Sequence, residues 1–159
     1  MPQNRFSMLK LPPMRILLLI PALILSIPFA LAANKGDNMV IIANPSTSTN
    51  AVSQSEARLI FSNDIKAWKS GEQIAVITMR RTDEAYSRFT QEVLNLYPYQ
   101  IERAINRKRY AGTAQSEIVA VSAEEMLKLV ASTPGAIGYI HKKAASNMPS
   151  IKILEVRNE

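Results

Sequence analysis

The sequence contains no cysteine and a single histidine, His141, and these two shortages narrow the kinds of site it can hold. Without cysteine the chain can form no disulfide and carry no lipid on a cysteine after its apolar amino-terminal run. The usual structural zinc sites need four nitrogen or sulfur ligands, so the composition argues against one. The composition still allows a metal site built from carboxylates alone, but the sequence has no EF-hand spacing. We therefore predict neither a metal site nor a cofactor.

Acidic residues are absent from the amino-terminal stretch, which has the pattern of a secretory signal peptide. Arg5, Lys10 and Arg15 precede an apolar run, and Ala30-Leu31-Ala32 forms a cleavage site of the small-x-small type. The alternative is a membrane anchor, because the apolar run 16–33 has 18 residues, near the lower limit for spanning. The prolines of this run and the cleavage site favour a signal peptide over a membrane anchor. We expect residues 1–32 to be a signal peptide.

Cleavage after Ala32 leaves residues 33–159, a length that suits one domain with a substantial core. The protein would then be periplasmic or secreted. Loss of the three basic residues of the leader lowers the formal net charge from +6 to +3, so half of the apparent basicity belongs to the export segment. The basic run Arg107-Lys108-Arg109 suits a solvated helix end. We predict no nucleic-acid partner.

Short apolar runs alternate along this domain with segments of helical period, which is typical of an α/β fold. Two capping boxes, Ser53-x-x-Glu56 and Ser122-x-x-Glu125, mark helix starts, and Pro98 opens another helix. We expect a central mixed sheet flanked by helices, with residues 141–150 as a loop. The predicted strands are 39–43, 74–79, 118–121, 136–140 and 151–156, and a further helix runs from the polar segment 80–84 to about Leu96.

The octapeptide Thr133–Ile140 predicts a helix end, a tight turn at Pro134-Gly135 and a buried strand. Together with Ile60-Phe61 and Trp68, it resembles the phosphate-type solute-binding proteins of bacterial ABC importers, and the likeness runs from Val40 to Ile140. The resemblance implies one lobe of a type II periplasmic binding protein. It also implies non-covalent binding of phosphate or a related small oxyanion, with an ABC permease as a partner.

In that family a strand leads into an Arg-x-Asp-Gly-Ser-Gly-Thr loop that opens a helix, where unpaired N–H groups and an arginine fork stabilise an anion. The resemblance places Arg81, Asp83 and Ser87 in this loop. Arg81 would supply charge, Asp83 would orient it, and Ser87 would donate a hydrogen bond. Ser46 and Thr47, in the loop after the first strand, are further candidate ligands, with an ordinary capping loop as the alternative.

Two residues depart from the family loop: Ala85 replaces a serine and Tyr86 replaces a glycine. Full-sized relatives hold the ligand between two lobes, and this chain matches mainly one, so a second copy or another envelope protein would have to complete the cleft. The alternative function is therefore an envelope interaction or adaptor protein that keeps the fold and has lost the ligand. No set of nucleophile, base and orienting group is visible, so we predict no enzyme and no catalytic residue.

Overall fold

The computed structural model describes residues 38–146 and 148–158. The predicted signal peptide and the predicted domain start at residue 33 lie outside these ranges. The described chain forms six strands and five helices around one core. In order they are β1 (Met39–Ala43), β2 (Ala51–Ser53), α1 (Gln54–Phe61), β3 (Ala75–Met79), α2 (Glu84–Glu92), α3 (Pro98–Tyr110), β4 (Ile118–Ala120), α4 (Ala123–Ser132), β5 (Ala136–His141), α5 (Lys142–Ala145) and β6 (Lys152–Arg157).

The six strands make one mixed sheet in the order β2-β6-β1-β5-β3-β4. Strand β1 runs antiparallel to both of its neighbours, β5 and β6. The pairs β2–β6, β3–β5 and β3–β4 are parallel, so five strands share one direction and β1 opposes them. We call the edge where these five strands end the carboxyl edge. The opposite edge, where β1 ends, is the amino edge.

Helices cover both faces of this sheet, as two successive residues of β5 show. Gly138 faces α4, because a Cβ added there would lie 2.6 Å from the sulfur of Met126. The next residue, Tyr139, points to the other face, where its ring stacks on Phe89 of α2 with centroids 3.9 Å apart. The predicted three-layer α/β architecture with a mixed central sheet is therefore confirmed.

Three elements differ from the sequence prediction. The loop before α1 contains the short strand β2, which adds to the sheet beside β6. The expected loop 141–150 begins with the four-residue helix α5. Helix α2 ends at Glu92 rather than near Leu96, because the buried Val93 and Leu94 turn into the core and Asn95 adopts a left-handed conformation with φ 50°. Within the described ranges, no helix is both long enough and apolar enough to cross a membrane.

Candidate functional site

Strand β3 ends at the carboxyl edge and leads through Arg81 into the start of α2. Asp83 is the N-cap of this helix, and its Oδ1 accepts a hydrogen bond from the backbone N–H of Ala85 at 2.8 Å. A helix start has several unpaired N–H groups, and here the chain's own carboxylate satisfies one of them. Its negative charge also occupies the position that an anionic ligand would favour.

Arg81 is held by two partners at this helix start. Its Nη2 lies 3.1 Å from Oε2 of Glu117, and its Nη1 donates to the hydroxyl of Tyr86 at 3.3 Å. The guanidinium carbon also lies 5.8 Å from the centre of the Tyr86 ring. The orienting group is therefore Glu117, whereas the predicted one was Asp83. The physical reason is that the Asp83 carboxylate is already engaged by the helix that it caps.

Glu117 has no sequence signal that would connect it with Arg81, since 36 positions separate them. It directly precedes β4, whose first residue Ile118 pairs with Ile77 in the middle of β3. The Arg81 side chain accordingly folds back along β3 toward its partner. The Arg81 side chain keeps 33% of its surface exposed and that of Glu117 only 10%, so the ion pair is partly shielded from water.

Tyr86, which stands where the family loop has glycine, belongs to the aromatic core. The residue is only 3% exposed, and burial raises the pKa of its hydroxyl to about 12. Next to it, burial also raises the pKa of Tyr139, whose hydroxyl oxygen accepts a hydrogen bond from the Met79 N–H at 2.8 Å. The enclosed cavity among these rings measures about 10 Å³, which is too small for any ligand beyond a single water.

Ser87 lies in the first turn of α2, half-buried, on the same edge as Arg81. Its N–H donates to the carbonyl of Asp83 at 3.4 Å, and its carbonyl accepts from the Thr90 hydroxyl at 2.9 Å. These are contacts of its backbone within the helix. Ser87 therefore lies one turn after Asp83 in α2, and these contacts involve neither its hydroxyl nor Arg81. Its role as a ligand stays a prediction.

Ser46 and Thr47 lie at the other end of the sheet. They follow β1, which opposes β3, so the length of β1, about 13 Å for four steps of an extended strand, separates them from the Arg81 end. The Ser46 hydroxyl accepts from the Gly135 N–H and donates to Glu72, both at 3.3 Å. Thr47 is 1% exposed and its hydroxyl donates to the carbonyl of Asn44. The five predicted ligand residues thus form two separate groups.

Solved structures with the same fold include a phosphate transport receptor and phosphate-binding proteins. The ABC-type phosphate transport receptor from Vibrio cholerae superimposes with a TM-score of 0.56 at 18% identity, over 76% of this chain and 46% of that one. PstS from Borrelia burgdorferi has a TM-score of 0.61 at 23% identity, and the match covers 76% of this chain and 47% of that protein. The phosphate-binding protein from Stenotrophomonas maltophilia has a TM-score of 0.52 at 15% identity, and the match covers 76% of this chain and 39% of that protein. The sequence matches no protein-family model and no curated protein.

The described domain shares its fold with phosphate-binding proteins. The resemblance drawn from Thr133–Ile140, Ile60-Phe61 and Trp68 is thereby confirmed at the level of the fold. The chain spans less than half the length of each of these phosphate-binding proteins. Among the residues that the structure describes, no three His, Cys, Asp or Glu side chains approach one another as a metal site would need.

Proposed function

We propose that this chain is an exported, non-enzymatic binding protein for a small oxyanion of the phosphate class, with Arg81 as its cationic group. Two observations support the proposal. The fold is shared with phosphate-binding proteins, and the backbone of Arg81 lies at the carboxyl edge, where open α/β sheets bind their ligands, while its guanidinium is paired with Glu117. The observation that carries it is the Arg81 side chain itself, which keeps a third of its surface exposed beside a helix start.

Binding requires an exchange of partners at Arg81. Glu117 forms an ion pair with the Arg81 guanidinium. A phosphate dianion that reaches Arg81 replaces this single carboxylate contact with a bidentate pair of hydrogen bonds. The Ser87 hydroxyl and those N–H groups of the first turn of α2 that Asp83 does not already engage provide the remaining donors. Ser46 and Thr47 lie at the amino edge and have no part in this proposed site. Glu117 therefore makes binding weaker than an unpaired arginine would.

Calorimetric titration with phosphate and sulfate tests this arrangement. The wild type should bind phosphate with a millimolar dissociation constant, and Glu117→Gln should bind about fivefold more tightly, because the competing ion pair is worth about 1 kcal/mol. Arg81→Ala should lose binding. Arg80→Ala is the matched control, since Arg80 has the same charge at the neighbouring, exposed position. Absence of heat for both the wild type and Glu117→Gln at about 10 mM phosphate would overturn the proposal.

The second candidate is an envelope interaction or adaptor protein that has kept the fold without the ligand. The specific observation in its favour is Tyr86, whose ring fills the core where the family loop offers glycine to a ligand. This reading predicts a protein partner, such as a permease or a second copy of the chain, that stays bound whether or not phosphate is present. Affinity capture from envelope extracts, washed with and without phosphate, separates the two candidates.

A further inference from the structure

A polar, aromatic groove lies where α2 turns into α3, away from the Arg81 site. It has a volume of about 490 Å³, within the range of small-molecule sites. None of its six lining residues is charged, and five of them carry a side-chain hydrogen-bonding group. The lining residues are Gln91, Asn95, Leu96, Tyr97, Tyr99 and Gln100.

Two tyrosine rings form one wall of this groove. Tyr97 is 63% exposed and Tyr99 is 64% exposed, although large aromatic side chains are usually well buried. Their ring centroids lie 6.0 Å apart and their planes differ by 14°, so the two rings are stacked with nearly parallel planes. Each ring offers an apolar face and a hydroxyl that can donate and accept a hydrogen bond.

Local hydrogen bonds hold the backbone of this wall in place. The Tyr97 N–H donates to Oε1 of Gln100 at 2.8 Å, and Pro98 fixes the first turn of α3 between the two rings. On the other side, the Leu96 N–H donates to the carbonyl of Thr90 at 2.9 Å. A binding surface that is ordered before the ligand arrives loses little conformational entropy on binding.

We propose that this groove binds a short neutral oligosaccharide. The faces of a pyranose ring carry C–H groups that pack on aromatic rings, while its hydroxyls need donors and acceptors such as the amides of Gln91, Asn95 and Gln100. A phosphate or sulfate would find no cation among the lining residues. Exposed tyrosines also occur in protein interfaces, so an interface between copies of the chain is the alternative that an experiment must separate from sugar binding. This inference is independent of the proposed oxyanion site.

Saturation-transfer NMR and calorimetry of the full chain with maltotriose, cellotriose and chitotriose test this proposal. At least one trisaccharide should bind with a dissociation constant of about 1 mM, and the double variant Tyr97→Ala/Tyr99→Ala should bind at least tenfold more weakly. Tyr110→Ala is the matched control, because Tyr110 is a single aromatic residue on the same helix with 93% exposure. Tyr97→Phe/Tyr99→Phe keeps both ring faces and should retain most of the binding.

Three outcomes would overturn the assignment. The first is no saturation transfer from any of the three sugars at about 10 mM. The second is sugar binding that is unchanged in the double alanine variant. The third is self-association, measured by light scattering, that disappears in that variant while no sugar binds, since the groove would then be an interface between copies. Both rings are exposed, so the alanine variants should remain folded, which circular dichroism checks.

Discussion

The loops that follow β1 and β3 look alike in the sequence and differ in the structure. Each follows a buried strand and each is polar, with Ser46 and Thr47 in one and Arg81 and Asp83 in the other. Yet β1 opposes β3, so the first loop lies at the amino edge and the second at the carboxyl edge. The direction of a strand cannot be read from its apolar run, and that direction decides whether two loops can share a ligand.

The two loops also differ in what their polar groups contact. At the amino edge, Asn44 is 7% exposed and ties the loop to the distant helix α4. At the carboxyl edge, Asp83 serves its own helix, and Arg81 reaches Glu117 with a third of its side chain still exposed. We therefore expect the amino-edge loop to contribute mainly to stability. The carboxyl-edge loop combines a cation that keeps a third of its side-chain surface exposed with the buried Tyr86 just beyond it.

The largest effect should come from Tyr86→Gly, which gives the carboxyl-edge loop the glycine of the family pattern. Removal of a buried aromatic ring costs about 3–5 kcal/mol, and glycine within a helix adds about 1 kcal/mol. We expect the free energy of unfolding in urea to fall by about 4–6 kcal/mol. If the variant were as stable as the wild type, Tyr86 would not be the core residue that its 3% exposure indicates.

Tyr86→Phe is the control, because it keeps the ring and removes the hydroxyl. The Tyr86 pKa is raised to about 12 in the folded chain, while an unfolded tyrosine titrates near 10. The unfolded chain therefore releases this proton first, and the stability contributed by the neutral hydroxyl is lost as pH rises from about 10 to about 12. Urea titrations at several pH values in this range should show that the free energy of unfolding falls less steeply with pH for Tyr86→Phe than for the wild type.

The second largest effect should come from Asn44→Ala at the amino edge. The Asn44 Nδ2 donates to the carbonyls of Val130 and Ala131 at 2.8 and 2.9 Å, and Oδ1 accepts from the Ser46 N–H at 2.9 Å. Alanine would leave these groups without a partner, so we expect a loss of about 2–3 kcal/mol in unfolding free energy. Asn44→Asp, which keeps the acceptor and loses the donor, should be no better than alanine. Equal stability of all three proteins would contradict the anchoring role.

The sequence was sufficient for local features and insufficient for pairings between distant strands. The first predicted capping box forms, since Ser53 accepts from the Glu56 N–H and Glu56 accepts from the Ser53 N–H. The second forms only in part: Ser122 caps α4 by accepting from the Glu125 N–H, but the Glu125 carboxylate accepts from the Val121 N–H instead of from the N-cap. The Arg81-x-Asp83 segment opens α2 as the loop pattern predicts. These features depend on residues three or four positions apart, whose chemistry is visible in the sequence.

What escaped prediction depends on contacts across the sheet. The antiparallel direction of β1 separates Ser46 from Arg81, and the pairing of β3 with β4 brings Glu117 to Arg81. The strand Ala51–Ser53 also exists only because β6 offers it an edge. A single sequence carries no signal for such partners, since they depend on strand order rather than on local residue type.

Asp83→Ala should have a smaller effect than either core change. It removes the side-chain oxygen that accepts from the Ala85 N–H at 2.8 Å, and loss of an N-cap costs about 1 kcal/mol. Thermal unfolding should show a correspondingly modest decrease in Tm. Asp83→Ser is the matched control, because serine is also a good N-cap and carries no charge. If Tm fell as much for Asp83→Ser as for Asp83→Ala, the charge of Asp83 would matter more to stability than its N-cap hydrogen bond.

The smallest effects on stability, and the sharpest comparison of the two loops, should come from removing one hydroxyl in each. Ser46 is exposed and both of its side-chain hydrogen bonds are long, at 3.3 Å, so Ser46→Ala should cost less than about 0.5 kcal/mol. If the proposed site is correct, Ser46→Ala should leave phosphate affinity unchanged, because Ser46 lies at the amino edge. Ser87→Ala should weaken it about fivefold, as expected for one hydrogen bond of about 1 kcal/mol. If only Ser46→Ala weakened phosphate binding, the anion would have to bind at the amino edge, in a site that does not use Arg81.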